Sequence, residues 1–217
     1  MTEALAKFLA AYLIGTVMGG HVIGALRGGV DLRKFGSGNV GATNALRTQG
    51  SGFALGVLAI DVLKGVAAAL LVPLLPWPWE QAQPLPREHL GYLCGIGAAL
   101  GHCYPVFYRF QGGKGVATLA GVFGALLPPV LPWMLGVFAG ITILTGFVAL
   151  ASVGAAVTAL FYVACFDDRT IWSAAGAFTL AMTTLVVWKH RLNLVRIARG
   201  EEHRFDKAML LHRWLRR

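Results

Sequence analysis

The amino-acid sequence predicts an all-α protein, a polytopic helical bundle that is integral to a membrane. Hydrophobic residues make up 56% of the 217 residues, charged residues only 13%, and the mean hydropathy is +0.64. Soluble domains carry about 25% charged residues. Apolar runs close to the ~20 residues that cross a bilayer recur along the chain. The three cysteines lie in apolar segments without metal-ligand spacing, which indicates packing residues.

Three apolar runs precede residue 108. The run 5–26 is expected to be a retained helix and not a signal peptide, and its glycines repeat at i, i+4, which favours close helix contacts. The run 53–75 is interrupted by Asp61 and Lys64, whose i, i+3 spacing predicts an ion pair. The run 90–107 ends at a glycine-rich junction. A polar, basic loop (27–50) and a Pro- and Trp-rich interfacial loop (77–88) connect these runs.

The remaining apolar sequence, 116–188, is interrupted by charges only at 167–169. Of the 19 Lys and Arg residues, 15 fall in the segments 27–49, 108–115 and 189–217, which the positive-inside rule places in the cytoplasm. The number of spans after residue 116 must then be even. We predict seven spans with the N-terminus outside and the C-terminus cytoplasmic; five spans is the alternative. The last four would occupy roughly 116–130, 132–149, 152–166 and 171–188.

The glycine-rich junction has features that suit a phosphate. Glycines allow backbone N–H groups to turn toward a ligand, and a helix N-terminus just downstream adds donors and partial positive charge. Lys114 adds a full charge. The sequence is not a Walker A loop, because Tyr108 replaces the upstream glycine and no Ser or Thr follows the Gly-Lys pair. The alternative is a flexible turn with Lys114 as an interfacial anchor. The turn consists of Gly112, Gly113, Lys114 and Gly115.

A first polar cluster lies in the loop before the second apolar run. A short helix over 40–47 would place Thr43 and Arg47 on one face, where Arg47 could bind a phosphate in bidentate fashion. The alternative is a capped turn followed by an interfacial helix. The cluster comprises Ser37, Gly38, Asn39, Gly41, Thr43, Asn44 and Arg47.

A second polar cluster follows the last apolar run, in WKHRLNLVRIARGEEHRF. A membrane-interface anchor explains its Trp-Lys-His-Arg start, but an anchor requires neither Asn193 nor Glu202. The cluster comprises His190, Arg191, Asn193, Arg196, Arg199 and Glu202.

Three stretches, GSGNVGATNALR, GHCYPVFYRFQGGKGVAT and HRLNLVRIARGEE, resemble the signature motifs of bacterial acyl-phosphate:glycerol-3-phosphate acyltransferases, the PlsY-type membrane family. The D-x-x-K-G at Asp61, Lys64 and Gly65 is also similar to the family pattern. The resemblance covers roughly residues 5–205 and predicts one membrane-embedded domain, 1–205. The tail 206–217 lies outside it and is expected to be a basic amphipathic segment at the membrane interface.

The resemblance implies transfer of a fatty acyl group from acyl phosphate to the 1-hydroxyl of sn-glycerol 3-phosphate. The products are 1-acyl-glycerol 3-phosphate (lysophosphatidate) and inorganic phosphate, in the first acylation of phospholipid synthesis. The site is expected on the cytoplasmic face of the bacterial inner membrane, with membrane lipid as a partner. Acyl phosphate is already activated, so no cofactor, metal or nucleotide is expected. The net charge of +9 in so apolar a chain indicates anionic lipid and anionic substrate, and not nucleic acid.

The resemblance also implies roles for individual residues. Ser37, Arg47, His190 and Asn193 are implied to be catalytic, with either His190 or a substrate phosphate accepting the hydroxyl proton. Ser37 as a covalent nucleophile is disfavoured, because no base is adjacent to it. The residues implied to bind substrate are Asn39, Thr43, Asn44, His102, Gly112, Gly113, Lys114, Gly115, Arg191 and Glu202.

Two other classes of function compete with this interpretation. A transporter of a phosphorylated solute or lipid would place its polar groups near the midplane, in halves related by a repeat. A phosphotransferase would need carboxylates that hold Mg²⁺, and the motif regions offer only Asp31, Glu201 and Glu202. The sequence shows no internal repeat, and its polar clusters gather at one interface. Both alternatives are therefore less favoured.

Overall fold

The structure, a computed structural model, describes residues 2–78, 85–168 and 170–205, and every regular element in these ranges is helical. The chain divides after Leu127 into two compact units, which are described separately. The predicted tail 206–217 and part of the predicted interfacial loop, 79–84, lie outside the described residues. The all-α prediction is confirmed.

The first unit contains six α-helices, with three short 3-10 turns between them. Helix α1 packs mainly on α5, and α4 packs mainly on α6. The helices are α1 (Thr2–Gly15), α2 (Gly19–Leu26), α3 (Ala42–Thr48), α4 (Ser51–Leu70), α5 (Arg87–Cys103) and α6 (Val116–Leu126). The 3-10 turns are Leu32–Lys34, Val72–Leu74 and Val106–Tyr108.

The second unit contains a 3-10 turn, Pro128–Val130, and three helices. These are α7 (Leu131–Thr145), α8 (Val148–Cys165) and α9 (Ala174–Ala198), in which α7 packs on α8 and α8 packs on α9. Gly146 ends α7 in the left-handed conformation, with φ of 74°, as a C-terminal glycine commonly does. Ser173 begins α9 by accepting a 3.1 Å hydrogen bond from the backbone N–H of Gly176.

Several helices are long and apolar enough to cross a membrane. Four segments meet this test, and the bent pair α1 and α2 gives a fifth if it forms one span. The chain is therefore an integral membrane protein, and the count of five matches the alternative made from sequence. The prediction of seven also requires α6, which has only 11 residues, and the partly charged α9. The four segments are Ser51–Leu74, Arg87–Tyr108, Pro128–Thr145 and Val148–Cys165.

Glycines in the first apolar run allow the helices to approach closely. A Cβ on Gly15 would collide with the backbone carbonyl of Ala98 in α5, and a Cβ on Gly19 would lie 2.5 Å from the carbonyl oxygen of Val57 in α4. Without a side chain, these glycines let the backbones make close van der Waals contact, which stabilises helix pairs in a membrane. The predicted close contacts are confirmed for Gly15 and Gly19.

The first apolar run is not one continuous helix. Helix α1 ends at Gly15, α2 begins at Gly19, and their axes differ by 41°. We call residues 16–18 the first-span break. The sequence analysis predicted a single helix over 5–26, so the break is a correction. It leaves backbone polar groups without helical partners inside the apolar region, and these groups must be satisfied by other parts of the protein.

Candidate active site

The loop before α3 is held by one side chain, Asn44. Its amide nitrogen donates to the carbonyl oxygens of Leu32, Phe35 and Asn39 at 3.1, 3.0 and 2.8 Å. Its Oδ1 accepts a 3.0 Å hydrogen bond from the backbone N–H of Ser37. Asn44 is only 2% exposed. The amide therefore clamps the polar loop, a role that sequence analysis did not foresee when it placed Asn44 among the substrate ligands.

The other residues of the first polar cluster surround this clamp. Ser37 is exposed, and Oδ1 of Asn39 accepts a 3.1 Å hydrogen bond from the backbone N–H of Gly41. Thr43 and Arg47 are half-buried in α3, four residues apart, so the predicted short helix with both on one face is confirmed. The loop thus presents a hydroxyl, an amide and a guanidinium close together in sequence on one ordered segment.

An ion pair fixes the start of the same loop. The Arg33 side chain donates to the Asp31 carboxylate at 2.9–3.2 Å, and the Arg33 backbone N–H donates to Asp31 Oδ1 at 3.1 Å. The side-chain hydrogen bonds from Arg33 lower the pKa of Asp31 from 3.8 to about 2. Asp31 is thus occupied by Arg33 at neutral pH.

The glycine turn, defined as residues 112–115, uses its glycines in two ways. Gly115 has φ of 81° and immediately precedes α6, so it needs the left-handed conformation that glycine adopts without strain. Gly112 and Gly113 are required instead for close approach. A Cβ on Gly112 would collide with the carbonyl oxygen of His102, and a Cβ on Gly113 would collide with the His102 imidazole. Lys114 is half-buried between them and α6.

The chain reaches the glycine turn through strained residues. Arg109 and Phe110 have φ of 54° and 60°, a region that non-glycine residues seldom adopt. The Tyr108 ring just before them stacks on the ring of His21 in α2, with centroids 4.2 Å apart and planes 14° apart. Nε2 of His21 has no hydrogen-bond partner in the described part of the chain. Stacking therefore ties the segment before the glycine turn to α2.

A buried polar network lies behind the glycine turn. Lys64 Nζ lies 2.8 Å from Asp61 Oδ1, 2.7 Å from the carbonyl oxygen of Val17 and 2.7 Å from Nδ1 of His102. Asp61 Oδ1 also accepts a 3.1 Å hydrogen bond from the backbone N–H of Gly19. The Asp61–Lys64 pair predicted from sequence is confirmed. The bonds of both residues to the first-span break, and the contact with His102, were not predictable from the sequence.

In the second unit, the third motif forms its own polar cluster on α9. Nδ1 of His190 donates to the carbonyl oxygen of Val186 at 2.8 Å, since a carbonyl can only accept. The amide nitrogen of Asn193 donates to Glu202 Oε1 at 2.8 Å, and Arg196 Nε donates to Glu202 Oε2 at 2.8 Å. His190 and Asn193 are both buried. Glu202 thus orients Asn193 across the end of α9.

Two contacts around the third motif were not foreseen from the sequence. The Arg191 guanidinium donates to the Trp188 carbonyl at 2.7 Å and lies 4.0 Å from the Trp188 ring centroid, which favours a membrane-interface anchor. The chain after Glu202 returns to the α7–α8 turn, where the Phe205 N–H donates to the Gly146 carbonyl at 2.8 Å. The chemical role of Arg191 toward a substrate stays a prediction.

The predicted site residues therefore fall into two described groups. The loop, His102 and the glycine turn belong to the first unit, and His190, Arg191, Asn193 and Glu202 belong to the second. In the described ranges, no three His, Cys, Asp or Glu side chains gather where a metal ion could bind. Each group is ordered by internal hydrogen bonds, and the substrate roles assigned to its members stay predictions.

Comparison with known proteins points to one family. The family model described as glycerol-3-phosphate acyltransferase matches residues 5–200. A glycerol-3-phosphate acyltransferase of Thermus thermophilus is 42% identical over 209 residues, 96% of this chain and 98% of the relative. One of Aquifex aeolicus is 38% identical over 205 residues, 94% of this chain and 100% of the relative.

Solved structures agree with these relatives. The crystal structure of PlsY, an integral membrane glycerol 3-phosphate acyltransferase, in its glycerol 3-phosphate form has a TM-score of 0.78 and 36% identity, covering 93% of this chain and 95% of that chain. Its lysophosphatidic acid form has a TM-score of 0.77 and 35% identity, covering 93% and 94%. These matches span nearly the whole of each chain. This chain belongs to the glycerol-3-phosphate acyltransferase family.

Proposed function

We propose that this protein is an acyltransferase that moves a fatty acyl group from acyl phosphate to the 1-hydroxyl of sn-glycerol 3-phosphate. The products are lysophosphatidate and inorganic phosphate. The observation that carries the proposal is the near full-length similarity to two crystal structures of PlsY. One is the glycerol 3-phosphate form and the other is the lysophosphatidic acid form. Those two molecules are an acyl acceptor and its acylated product. The transporter alternative has no comparable support.

Positive charge and backbone donors suit the acceptor's phosphate. The glycine turn precedes the N-terminus of α6, an 11-residue helix whose first N–H groups have no helical acceptors. Lys114 adds a full positive charge beside them, and Arg47 on α3 offers a planar fork for phosphate oxygens. In this assignment the turn holds glycerol 3-phosphate. Ser37, Asn39 and Thr43 contribute polar side chains to the same substrate.

The third motif supplies groups for the reacting hydroxyl. Because Nδ1 of His190 donates to Val186, the lone pair of the neutral imidazole lies on Nε2, which can accept a proton. In this proposal Asn193, whose amide donates to Glu202 Oε1, hydrogen-bonds a reacting oxygen. A phosphate oxygen of the substrate is the second candidate for proton acceptor. In either case the hydroxyl oxygen attacks the acyl carbonyl, and the bond to the leaving phosphate breaks.

The donor assignment follows from chemistry. Acyl phosphate is a mixed anhydride, so its carbonyl is already activated and phosphate is a competent leaving group. Transfer then requires positioning of the two substrates and stabilisation of negative charge, which cationic and N–H groups provide. A fatty acyl donor reaches the protein from lipid, whereas glycerol 3-phosphate reaches it from water. We therefore place the reaction at the cytoplasmic face of the bacterial inner membrane.

Topology supports this placement. The helices α1–α2, α4, α5, α6, α7, α8 and α9 correspond in order to the seven predicted spans. With seven crossings and the N-terminus outside, the loop before α3, the glycine turn and the end of α9 all face the cytoplasm. The full set of 15 clustered basic residues then lies on one side.

A donor assay tests the proposal directly. Purified protein in detergent is given glycerol 3-phosphate with acyl phosphate, acyl-CoA or acyl-carrier protein, and lysophosphatidate is measured. We expect product from acyl phosphate without ATP and in the presence of EDTA. The Gly136→Ala variant, altered at an open position on α7, serves as a matched control and should retain activity. Product from acyl-CoA alone, or complete loss on chelation, would refute the assignment.

A further inference from the structure

A buried lysine in the second apolar run has all of its protons satisfied. The Lys64 ammonium carries three protons, and its three acceptors are Asp61 Oδ1, the Val17 carbonyl oxygen and Nδ1 of His102, all within 2.8 Å. Lys64, Asp61 and His102 are 6%, 1% and 3% exposed. With Lys64 as an ammonium, which can only donate, Nδ1 of His102 accepts; the same Nδ1 lies 3.5 Å from Asp61 Oδ1. The proton of the neutral imidazole therefore lies on Nε2.

The network is anchored in the first-span break. Helix α1 ends before Val17, and α2 begins at Gly19, so the Val17 carbonyl and the Gly19 N–H lack helical partners. Lys64 takes the carbonyl at 2.7 Å and Asp61 takes the N–H at 3.1 Å. Charged side chains in a membrane are costly unless paired, and here they are paired with each other and with freed backbone groups. The position of His102 Nδ1 is thereby fixed through Lys64 by two other parts of the chain, α4 and the first-span break.

The opposite edge of the same imidazole supports the glycine turn. The Gly113 N–H donates to the His102 carbonyl at 3.0 Å. A Cβ on Gly113 would collide with Nε2 of His102, and a Cβ on Gly112 would collide with the His102 carbonyl oxygen. The turn therefore lies on both the backbone and the ring of His102. A rotation of that ring toward the turn would push against Gly113, next to Lys114.

We propose that His102 is a positioning residue, which Lys64 and Asp61 hold in one orientation so that its imidazole sets the shape of the glycine turn. In this arrangement His102 acts through Gly113 and does not touch the substrate. This positioning role differs from the substrate-binding role predicted for His102 from the sequence. The inference rests on the proposed function, because the turn is taken to hold the phosphate of glycerol 3-phosphate.

Two amide substitutions distinguish the roles of the two ring nitrogens of His102. In His102→Asn the shorter amide reaches the position of Nδ1, so it retains the bond to Lys64 and loses the edge that faces Gly113. In His102→Gln the longer amide reaches the position of Nε2. We expect His102→Asn to raise the KM for glycerol 3-phosphate about tenfold, as loss of one ordinary positioning contact does. The KM for acyl phosphate and kcat should change about twofold or less, and His102→Gln should recover part of the loss.

A double-mutant cycle tests the contact itself. Gly113→Ala alone should raise the KM for glycerol 3-phosphate, because its methyl group meets the imidazole. In the His102→Ala background that methyl group has room. The combined effect of His102→Ala and Gly113→Ala should thus be smaller than the product of the two single effects. A multiplicative result, or an unchanged KM for glycerol 3-phosphate in folded His102→Asn, would overturn the proposal.

A second buried lysine provides the matched control. Lys7 near the start of α1 pairs with Glu3 at 2.7 Å and donates to the Pro73 carbonyl at 2.9 Å. Lys64→Met and Lys7→Met each remove one buried ammonium, but only Lys64→Met should raise the KM for glycerol 3-phosphate. An equal rise in both would contradict the positioning role.

Failure of the proposed function would be recognised separately. If the wild-type protein formed no lysophosphatidate, the same His102–Gly113 cycle would be measured on the thermal unfolding midpoint in detergent. If the midpoint shifts of the two single variants did not add in the double variant, His102 would still be shown to support the turn, although the substrate assignment would be wrong. Additive midpoints would overturn the contact as well.

Discussion

Asn44 and His102 each lie in a helix, and each side chain contacts a loop outside that helix. The Asn44 amide makes four hydrogen bonds to the loop 32–39, and His102 lies between Lys64 and the glycine turn. Both belong to motif sequences, so sequence analysis could select them as important. Their predicted roles toward the substrate stay predictions. Their partners within the protein could not be foreseen, because residue type shows that a group can hydrogen-bond but not which partner it meets.

At the residue scale, we expect substitutions in the third motif to lower kcat and to leave substrate binding nearly unchanged. His190→Ala and Asn193→Ala should lower kcat by about 100-fold, the usual contribution of a proton acceptor or an oriented donor, with little change in KM. Glu202→Gln retains an oxygen for Asn193 and should cost less than Glu202→Ala. Steady-state kinetics with both substrates provides the measurement. If His190→Ala kept nearly full kcat, the proton would pass to the substrate phosphate.

Asp31 gives the loop a pH dependence that can be measured. Its pKa of about 2 in the folded protein lies below the ordinary 3.8, so its ionised form favours folding. This contribution is fully present above about pH 4 and is lost as the pH falls through about 2. Both partners are partly exposed, with side-chain exposures of 44% and 23%, so the contribution should be at most about 1 kcal/mol.

Thermal unfolding in detergent between pH 5 and pH 2 checks this expectation. Asp31→Asn should lower the midpoint at pH 5, and the difference from the wild type should vanish near pH 2. Arg33→Gln should show the same trend, because it removes the partner. A constant difference across this range would show that the ion pair is not its cause.

At the element scale, the glycines of α1 and α2 should respond differently from those of α7. Gly15→Ala and Gly19→Ala each place a methyl group against the backbone of a neighbouring helix, and overpacking of this kind costs about 1 to 3 kcal/mol. Gly136 and Gly140 of α7 have no atom within 4 Å of an added Cβ. Gly136→Ala should therefore be neutral, or stabilising by about 0.5 to 1 kcal/mol through helix propensity.

Free energies of unfolding in a fixed detergent mixture distinguish these two pairs. Equal effects at Gly15 and Gly136 would mean that the helix contacts of the first unit do not determine stability. Gly140→Ala repeats the control on the same helix, four residues later.

Much of the helical framework was predictable from hydropathy. The predicted runs 53–75 and 90–107 correspond to α4 (Ser51–Leu70) and α5 (Arg87–Cys103) within a few residues. Apolar composition specifies these helices because a membrane requires internally satisfied backbone groups. The first-span break was not predictable in the same way. Residues 16–18 carry no proline, and what stabilises the break there is Asp61 and Lys64, which come from a distant part of the chain.

At the scale of the whole molecule, the distribution of charge predicts one cytoplasmic face. Single cysteines at positions 33, 114 and 204, in a background without Cys94, Cys103 and Cys165, should react with a membrane-impermeant thiol reagent only in inside-out vesicles. Labelling of any of these positions from outside would contradict the seven-span topology. A cysteine at position 88, in the first turn of α5 at the end expected outside, provides the opposite control.

The proposed seven-span count itself depends on α6 and α9, which length and composition do not decide. Helix α6 has 11 residues, about 16 Å at 1.5 Å per residue, against roughly 30 Å of hydrocarbon. Helix α9 is long enough, but Lys189 and Arg191 lie in its second half. The parity of the basic segments fits seven spans and five spans equally, so labelling at positions 33, 114 and 204 tests the shared cytoplasmic face and not the count. The length of the apolar sequence favours seven, because two spans in 116–188 would leave long apolar stretches unused.

The first-span break also has a consequence for how the chain enters the membrane. When α1 and α2 leave the ribosome, the residues that will satisfy the Val17 carbonyl and the Gly19 N–H have not yet been inserted. Each unsatisfied backbone group costs several kcal/mol in hydrocarbon, so the broken shape is unfavourable until α4 arrives with Asp61 and Lys64. The first span should accordingly enter as a straight helix and bend only later. The order of synthesis thus predicts that a charged helix reshapes the apolar one that preceded it.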